Sequence, residues 1–251
     1  MRVYVAPTSL PQALAIGRTV MLPQDVTQHL TRVLRLRDGA AITLFDGKGG
    51  EWSAELVSGA RGALAARIGE HHPIERESPL QLTLMQGLAR GERMDLVIQK
   101  ATELGVTRIV PVITSRCVVQ LDSERGERRV EHWRAVAASA CEQCGRNRLP
   151  EICPPMQLES ASKTPWAAAD EPRWLFDPES TLTLRDLIQT PSALSRATLL
   201  VGPEGGLEAS EIDLAVRTGF RTLRFGPRVL RTETAGLAAL AALQSLAGDL
   251  S

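Results

Sequence analysis

The sequence predicts a two-part chain, a small β-rich N-terminal domain followed by a larger α/β domain with a mostly parallel sheet. Three observations carry that expectation. Residues up to about 72 hold short apolar runs separated by turn residues, the pattern of a small barrel. From Leu80 onward, apolar runs of strand length alternate with segments whose apolar residues recur at helical spacing, which is the succession that builds parallel sheets. Between the two lies His71-His72-Pro73-Ile74-Glu75-Arg76-Glu77-Ser78-Pro79, polar and bracketed by prolines, so the boundary falls there and the domains are expected at 1–73 and 80–251.

In the first domain the expected strands are Val3-Tyr4-Val5, 19–22, 41–45, 52–57 and 64–68, with Asp46-Gly47-Lys48-Gly49-Gly50 as a hairpin loop. In the second, residues 80–84 alternate like a strand. Met94, Val97, Ile98, Ala101 and Leu104 then mark a helix closed by Gly105. Residues 106–113 read as the next strand, and Val130, Trp133, Ala137, Ala140, Cys141 and Cys144 share one face of a second helix ending at Gly145. Strands at 173–177, 197–201 and 222–225 alternate with helices near 183–189, 208–218 and 233–247.

Composition removes several function classes. Lys plus Arg and Asp plus Glu are both 29, so no global field announces a polyanionic partner, although a local patch can still bind RNA. The N-terminus lacks the apolar core of a signal peptide and no segment approaches the ~18 apolar residues of a membrane span, which points to a cytoplasmic protein without a membrane partner. Cys117, Cys141, Cys144 and Cys153 are then expected as thiols. The lone Cys141-Glu142-Gln143-Cys144 has no further ligands at zinc spacing and sits at the end of a helix, where a redox motif would sit at its start. Core packing without metal is the expectation.

Two loops concentrate the remaining signal. Gly202-Pro203-Glu204-Gly205-Gly206 follows the apolar run 197–201 and precedes a helix, which puts glycines at a strand's C-terminal end, where open α/β sheets bind ligands. It matches neither the P-loop nor the Rossmann spacing, which disfavours a nucleoside triphosphate. Taken alone it is as compatible with a connecting turn as with a site. The second segment, Gly226-Pro227-Arg228-Val229-Leu230-Arg231-Thr232-Glu233-Thr234-Ala235, repeats the arrangement after the strand ending at Phe225, and two such loops can form one pocket. At the start of the following helix Thr232 or Thr234 suits a cap and Glu233 suits the dipole, whereas Arg231 fits poorly, because a cation there is unfavourable unless negative charge lies nearby. Arg231 is therefore the leading catalytic candidate. In the first domain Arg32, Arg35 and Arg37 cluster before Asp38-Gly39. Its eight basic and six acidic residues leave a slight excess, and its few aromatics favour contact with RNA backbone and shape over base stacking.

Four ordered motifs carry a resemblance over essentially the whole chain: Arg93-Met94-Asp95 with Ile98-Gln99-Lys100-Ala101-Thr102-Glu103-Leu104-Gly105-Val106, then Glu142-Gln143-Cys144-Gly145-Arg146, then 200–206, then 226–235. With them the chain resembles the RsmE family of 16S ribosomal RNA N3-uridine methyltransferases, in the SPOUT superfamily. The resemblance implies a PUA-like β-barrel followed by a methyltransferase domain with a C-terminal trefoil knot, acting as a homodimer on 16S rRNA within the small ribosomal subunit. It implies S-adenosyl-L-methionine held by Leu200, Gly202, Pro203, Glu204, Gly205 and Gly206 of the first loop and Phe225, Gly226, Leu230 and Thr232 of the second. For attack by a uridine N3 that carries a proton between two carbonyls, Arg231 and Glu233 are the expected catalytic residues, Arg231 stabilising charge on the base and either Glu233 or a water taking the N3 proton. Arg32, Arg35, Arg37, Arg93, Arg116 and Arg146 are expected on rRNA phosphates. The chain departs from the family pattern at Phe225 and Cys144, where Leu and Ser are expected.

Overall fold

Alternation in the N-terminal third becomes a sheet with one buried face. In the computed structural model, which describes residues 1–10, 12–59, 63–117, 123–164, 166, 171–188 and 193–250, the strands there are β1 (Arg2–Tyr4), β2 (Thr19–Met21), β3 (Ala41–Phe45), β4 (Glu51–Ser58) and β5 (Leu64–His72). They pair in the order β1-β3-β4-β5-β2, with β1 parallel to β3 and the other pairs antiparallel. The period of two sends Ile42, Leu44, Ala54, Leu56, Ala66 and Ile68 into one core with Val3 and Val20. A helical segment, α1 (Gln24–Gln28) running into a π-helical turn at His29–Val33, adds the fully buried Leu30 to that core. The expected strands do not include it, yet Val26, Leu30 and Leu34 are spaced four apart and all join the cluster.

Contacts divide the chain into two units, Met1–Glu77 with Cys141–Leu149, and Ser78–Ala140 with Pro150–Ser251. Residues 141–149 are tied into the first unit by specific bonds. The Tyr4 N–H donates to Glu142 Oε1 at 2.8 Å, Arg2 Nη2 donates to Asn147 Oδ1 at 2.6 Å, and Asn147 Nδ2 donates to Glu51 Oε2 at 3.2 Å. Glu51 also pairs with Arg2. A grouping that returns to the first unit after some sixty residues elsewhere is invisible to a linear pass along the chain.

The second unit holds β6 (Gln81–Gly87), α2 (Glu92–Glu103), β7 (Arg108–Ile113), α3 (Ser123–Cys144, whose last turn groups with the first unit), β8 (Glu151–Ile152), β9 (Met156–Gln157), α4 (Leu158–Lys163), β10 (Arg173–Phe176), α5 (Leu184–Leu187), β11 (Arg196–Val201), α6 (Ala209–Arg217), β12 (Arg221–Leu223) and α7 (Thr232–Ala247). Its sheet runs β12-β10-β11-β6-β7-β8, with β9 also on β7, and each of these pairs is parallel. Neighbouring residues feed opposite faces: Leu84 and Leu199 join a cluster with α2, α3 and α7, while Met85 and Leu200 join another with α4 and α6. A sheet covered on both sides needs the near-continuous apolar strands seen at 82–85 and 199–201. The order β12-β10-β11 positions the site, because it sets the C-terminal end of β10 between the ends of the strands that carry the two glycine-proline loops.

Candidate functional site

The loops after β11, β10 and β12 surround a cavity of about 720 Å³, within the range of small-molecule sites. From the first loop Gly202, Pro203, Glu204 and Gly206 line it, and from the second Phe225 through Glu233. Only Gly206 (φ +70°) and Gly226 (φ +76°) among the lining glycines adopt the left-handed backbone that glycine favours.

Side chains from neighbouring elements fix the first loop. Thr232 Oγ1 donates to the Gly202 carbonyl at 2.6 Å and accepts from Gln86 Nε2 at 2.8 Å, so one hydroxyl ties the start of α7 to both the loop and β6. The sequence suited Thr232 or Thr234 as a cap; instead Arg231 occupies the N-cap position and no side chain caps the helix. Glu204 Oε1 accepts from the Arg90 N–H at 3.0 Å and from Arg93 Nη1 at 2.9 Å. Burial alone would raise the Glu204 carboxyl, but these hydrogen bonds and the charge of Arg93 outweigh it and hold the group below the ordinary carboxylate range. Arg116 Nη1 donates to the Gly205 carbonyl at 3.0 Å. Beneath the loop, Gly87 ends β6 so close that a Cβ there would lie 2.4 Å from Pro203 N.

Arg231 and Glu233 both face the cavity. Arg231 is exposed and has no ion-pair or hydrogen-bond partner for its side chain among the described residues. Glu233 Oε2 is buried without a hydrogen-bond partner, and Oε1 lies 4.0 Å from Arg93 Nε. Thus a free cation and a carboxylate with an unused oxygen stand two residues apart at the head of α7.

Other expected residues fall outside the lining. Leu200 is fully buried in the core beneath the sheet, and Gly205 does not line the cavity, its carbonyl accepting from Arg116 Nη1 instead. Arg32, Arg35 and Arg37 are exposed on the N-terminal unit, and Arg35 has φ +53°, rare for a residue with a side chain. Arg146 is only 4% exposed and grips Glu77 through Nε at 3.0 Å and Nη2 at 2.5 Å, a bidentate structural pair that leaves little of it for phosphate. Sequence reasoning missed Gln86 and Gly87, and it missed the segment Asp177-Pro178-Glu179, which lines the cavity from the end of β10. That segment is shaped by the Asp177 N–H on the Leu223 carbonyl and the Glu179 N–H on Asp177 Oδ1, at 2.9 and 3.0 Å. Its only signal was the apolar run 173–176 followed by Asp-Pro.

Chemically, the cavity offers an apolar slot beside Leu175, Val201, Leu207, Ile212 and the tilted Phe176–Phe225 pair, whose centroids lie 5.9 Å apart. Asp177, Glu179 and Glu204 set carboxylates beside it. Together these suit a planar ring carrying hydroxyl or ammonium groups. Among the described residues, no group of three or more His, Cys, Asp and Glu could hold a metal ion, and no helix is long and apolar enough to cross a membrane.

The chain matches the family model described as an RNA methyltransferase domain over residues 76–244 and the one described as an RNA methyltransferase PUA domain over residues 22–69. It is 33% identical, over 95% of both chains, to the ribosomal RNA small subunit methyltransferase E of Buchnera aphidicola subsp. Schizaphis graminum. With the protein of that name from Bacillus subtilis it shares 29%, over 90% of this chain and 89% of the relative. Among solved structures it is similar to a putative methyltransferase from Legionella pneumophila in complex with bound cofactor SAM, at 38% identity and TM-score 0.89 over 99% of this chain and 98% of that one. It is also similar to the ribosomal RNA small subunit methyltransferase E of Neisseria gonorrhoeae bound to S-adenosyl methionine, at 38% identity and TM-score 0.87 over 100% of this chain and 99% of that one.

Proposed function

We propose, because this chain belongs to the ribosomal RNA small subunit methyltransferase E family, that it transfers the methyl group of S-adenosyl-L-methionine to N3 of a uridine in 16S rRNA. The observation that carries the reading is the meeting of Arg231 and Glu233 with the glycine loop around one cavity. The donor set fits the cofactor: an apolar slot takes the adenine, and the neighbouring carboxylates take hydroxyl and ammonium groups. We assign its binding to Gly202, Pro203, Glu204, Gly206, Phe225, Gly226, Leu230 and Thr232, with Leu200 and Gly205 supporting from behind. When bound, the cofactor supplies an electrophilic methyl on a sulfonium.

The chain's own residues then have three tasks. N3 of uridine carries a proton between two carbonyls, so attack requires loss of that proton and leaves negative charge on O2 or O4. Arg231, with no partner among the described residues, donates to that oxygen as charge develops. Glu233 or a water accepts the proton. The loops after β10, β11 and β12 hold the base in line, converting an encounter into an oriented reaction.

We further propose, from membership of this family, that the C-terminal loops form a trefoil knot. In this reading the chain acts in the cytoplasm as a homodimer, the barrel at 1–73 docks RNA and the domain at 80–251 performs catalysis. The exposed Arg32, Arg35 and Arg37, with the half-exposed Arg116, contact rRNA phosphates. The test is methylation of purified small ribosomal subunits, scored by mass spectrometry of the released nucleosides. 3-Methyluridine is expected; a ribose 2′-O-methyl or a methylguanosine product would refute the reading.

A further inference from the structure

The structure gives Arg93 two carboxylate neighbours inside the cavity, which suits it badly for a place on the RNA backbone. It stands in the first turn of α2, where a cation is unfavourable unless anions face it. Glu204 Oε1 accepts from its Nη1 at 2.9 Å and Glu233 Oε1 lies 4.0 Å from its Nε. The three side chains carry a net charge of −1, which repels phosphate. Glu204 belongs to the cofactor loop and Glu233 to the head of α7, so this one guanidinium spans the two loops expected to hold cofactor and base. It engages only one oxygen of Glu233. The other, Oε2, is buried and unpartnered on a side chain only 13% exposed. A buried carboxylate oxygen without a donor costs free energy, and once the side chain turns to open Oε2 to the cavity a substrate N–H would satisfy it.

We propose that Arg93 is a positioning residue for methyl transfer: by holding Glu204 and Glu233 Oε1 together, it aims Glu233 Oε2 at the N3–H of the target uridine. This rests on the function proposed above and decides its open point in favour of Glu233 over water as proton acceptor. In the step, the N3–H bond breaks and the proton passes to Glu233 Oε2. The N3 electron pair forms the new N–CH₃ bond as the S–CH₃ bond breaks, and its electrons remain on sulfur as a neutral thioether. The proton later leaves Glu233 for solvent.

The test separates this role from a phosphate contact by measuring Arg93→Gln and Arg93→Lys beside the unaltered protein on small ribosomal subunits. The readouts are the single-turnover rate at saturating RNA and methyl donor, the RNA Kd, and the slope of log Kd against log salt. For Arg93→Gln the saturating rate is expected to fall by about tenfold or more, since acid–base groups typically contribute at least that much. RNA Kd should stay within about twofold and the salt slope should not change. Arg93→Lys, which keeps a charge between the carboxylates, should regain part of the rate. A full saturating rate with a salt slope reduced by about 1 marks a phosphate contact and overturns the proposal. A slow Arg93→Lys with a melting point lowered as far as that of Arg93→Gln marks a folding effect and overturns it as well. Failure of the unaltered protein to form 3-methyluridine is read first. It sinks the functional reading itself, whereas a normal product with a normal Arg93→Gln rate sinks the inference alone.

Discussion

Gly87→Ala puts the packing beneath the cofactor loop to a direct test. A Cβ built at Gly87 lies 2.4 Å from Pro203 N, 2.7 Å from the Gly202 carbonyl carbon and 2.7 Å from Pro203 Cδ. Carbon contacts settle near 3.5–4.0 Å, so roughly 1 Å of movement is required. The obstructing atoms are main chain and a proline ring, and no rotamer relieves them. β6 is held between β7 and β11 by parallel ladders, so the loop yields. Its retreat stretches the Thr232 bond to the Gly202 carbonyl and the Arg90 bond to Glu204, now 2.6 and 3.0 Å. Overpacking costs about 1–3 kcal/mol and each weakened hydrogen bond about 0.5–1.5 kcal/mol. A total of roughly 2–6 kcal/mol lowers Tm by about 4–24 °C in a chain of this size. Where the displacement appears in binding, the same energy weakens cofactor affinity by roughly 30-fold or more. Scanning calorimetry and titration calorimetry with S-adenosyl-L-methionine read the two effects. A Tm within about 2 °C and a Kd within about twofold of the parent would refute the argument that a missing Cβ seats this loop.

Three further outcomes follow from the geometry. Arg231→Ala should lower the single-turnover rate by about 10²–10³, the loss typical of one oxyanion donor, while cofactor Kd stays within about threefold; near-normal turnover would remove Arg231 from the chemistry. Burial pushes the Cys141 thiol up to about 12 and the Cys153 thiol up to about 11, so both should resist alkylation of the native protein at pH 8 and react only after denaturation. Peptide mapping that finds Cys141 among the first labelled would contradict this. Burial would raise Glu51, but hydrogen bonds from Arg2, Asn147 and Arg76 and the charge of Arg2 hold it below the ordinary glutamate range. A depressed carboxylate stabilises fully above its unfolded pKa and is lost as pH falls through the lowered folded value. Melting of the N-terminal unit should therefore drop in acid, and Glu51→Gln should be less stable at pH 7 with a flatter acid decline; parallel pH curves for the two proteins would exclude that role.

Much of this site was legible because its signals are local. The alternation at 41–45 and 64–68, the helical spacing at 94–104 and the strand-then-glycine junctions at 201–206 and 223–226 each lie within a dozen residues, and each element forms about where the pattern puts it. The misfit of Arg231 at a helix start is local too, and its side chain has no hydrogen-bond or ion-pair partner among the described residues. What escaped depends on order across the sheet. Nothing near Asp177 says that β10 lies between β11 and β12, yet that order alone puts Asp177, Pro178 and Glu179 into the cavity. Gly87 looks like any glycine at a strand end until Pro203 is found 2.4 Å from where its Cβ would be. Arg146 shows the converse: in a motif beside a helix end it reads as a basic surface residue, and only tertiary contact with Glu77 turns it inward. Charge in a sequence therefore marks candidates for chemistry, and the burial of its partners decides among them. Arg231 has no partner among the described residues, Arg93 faces two carboxylates and Arg146 is buried against Glu77, so three arginines of similar appearance part into different expected roles.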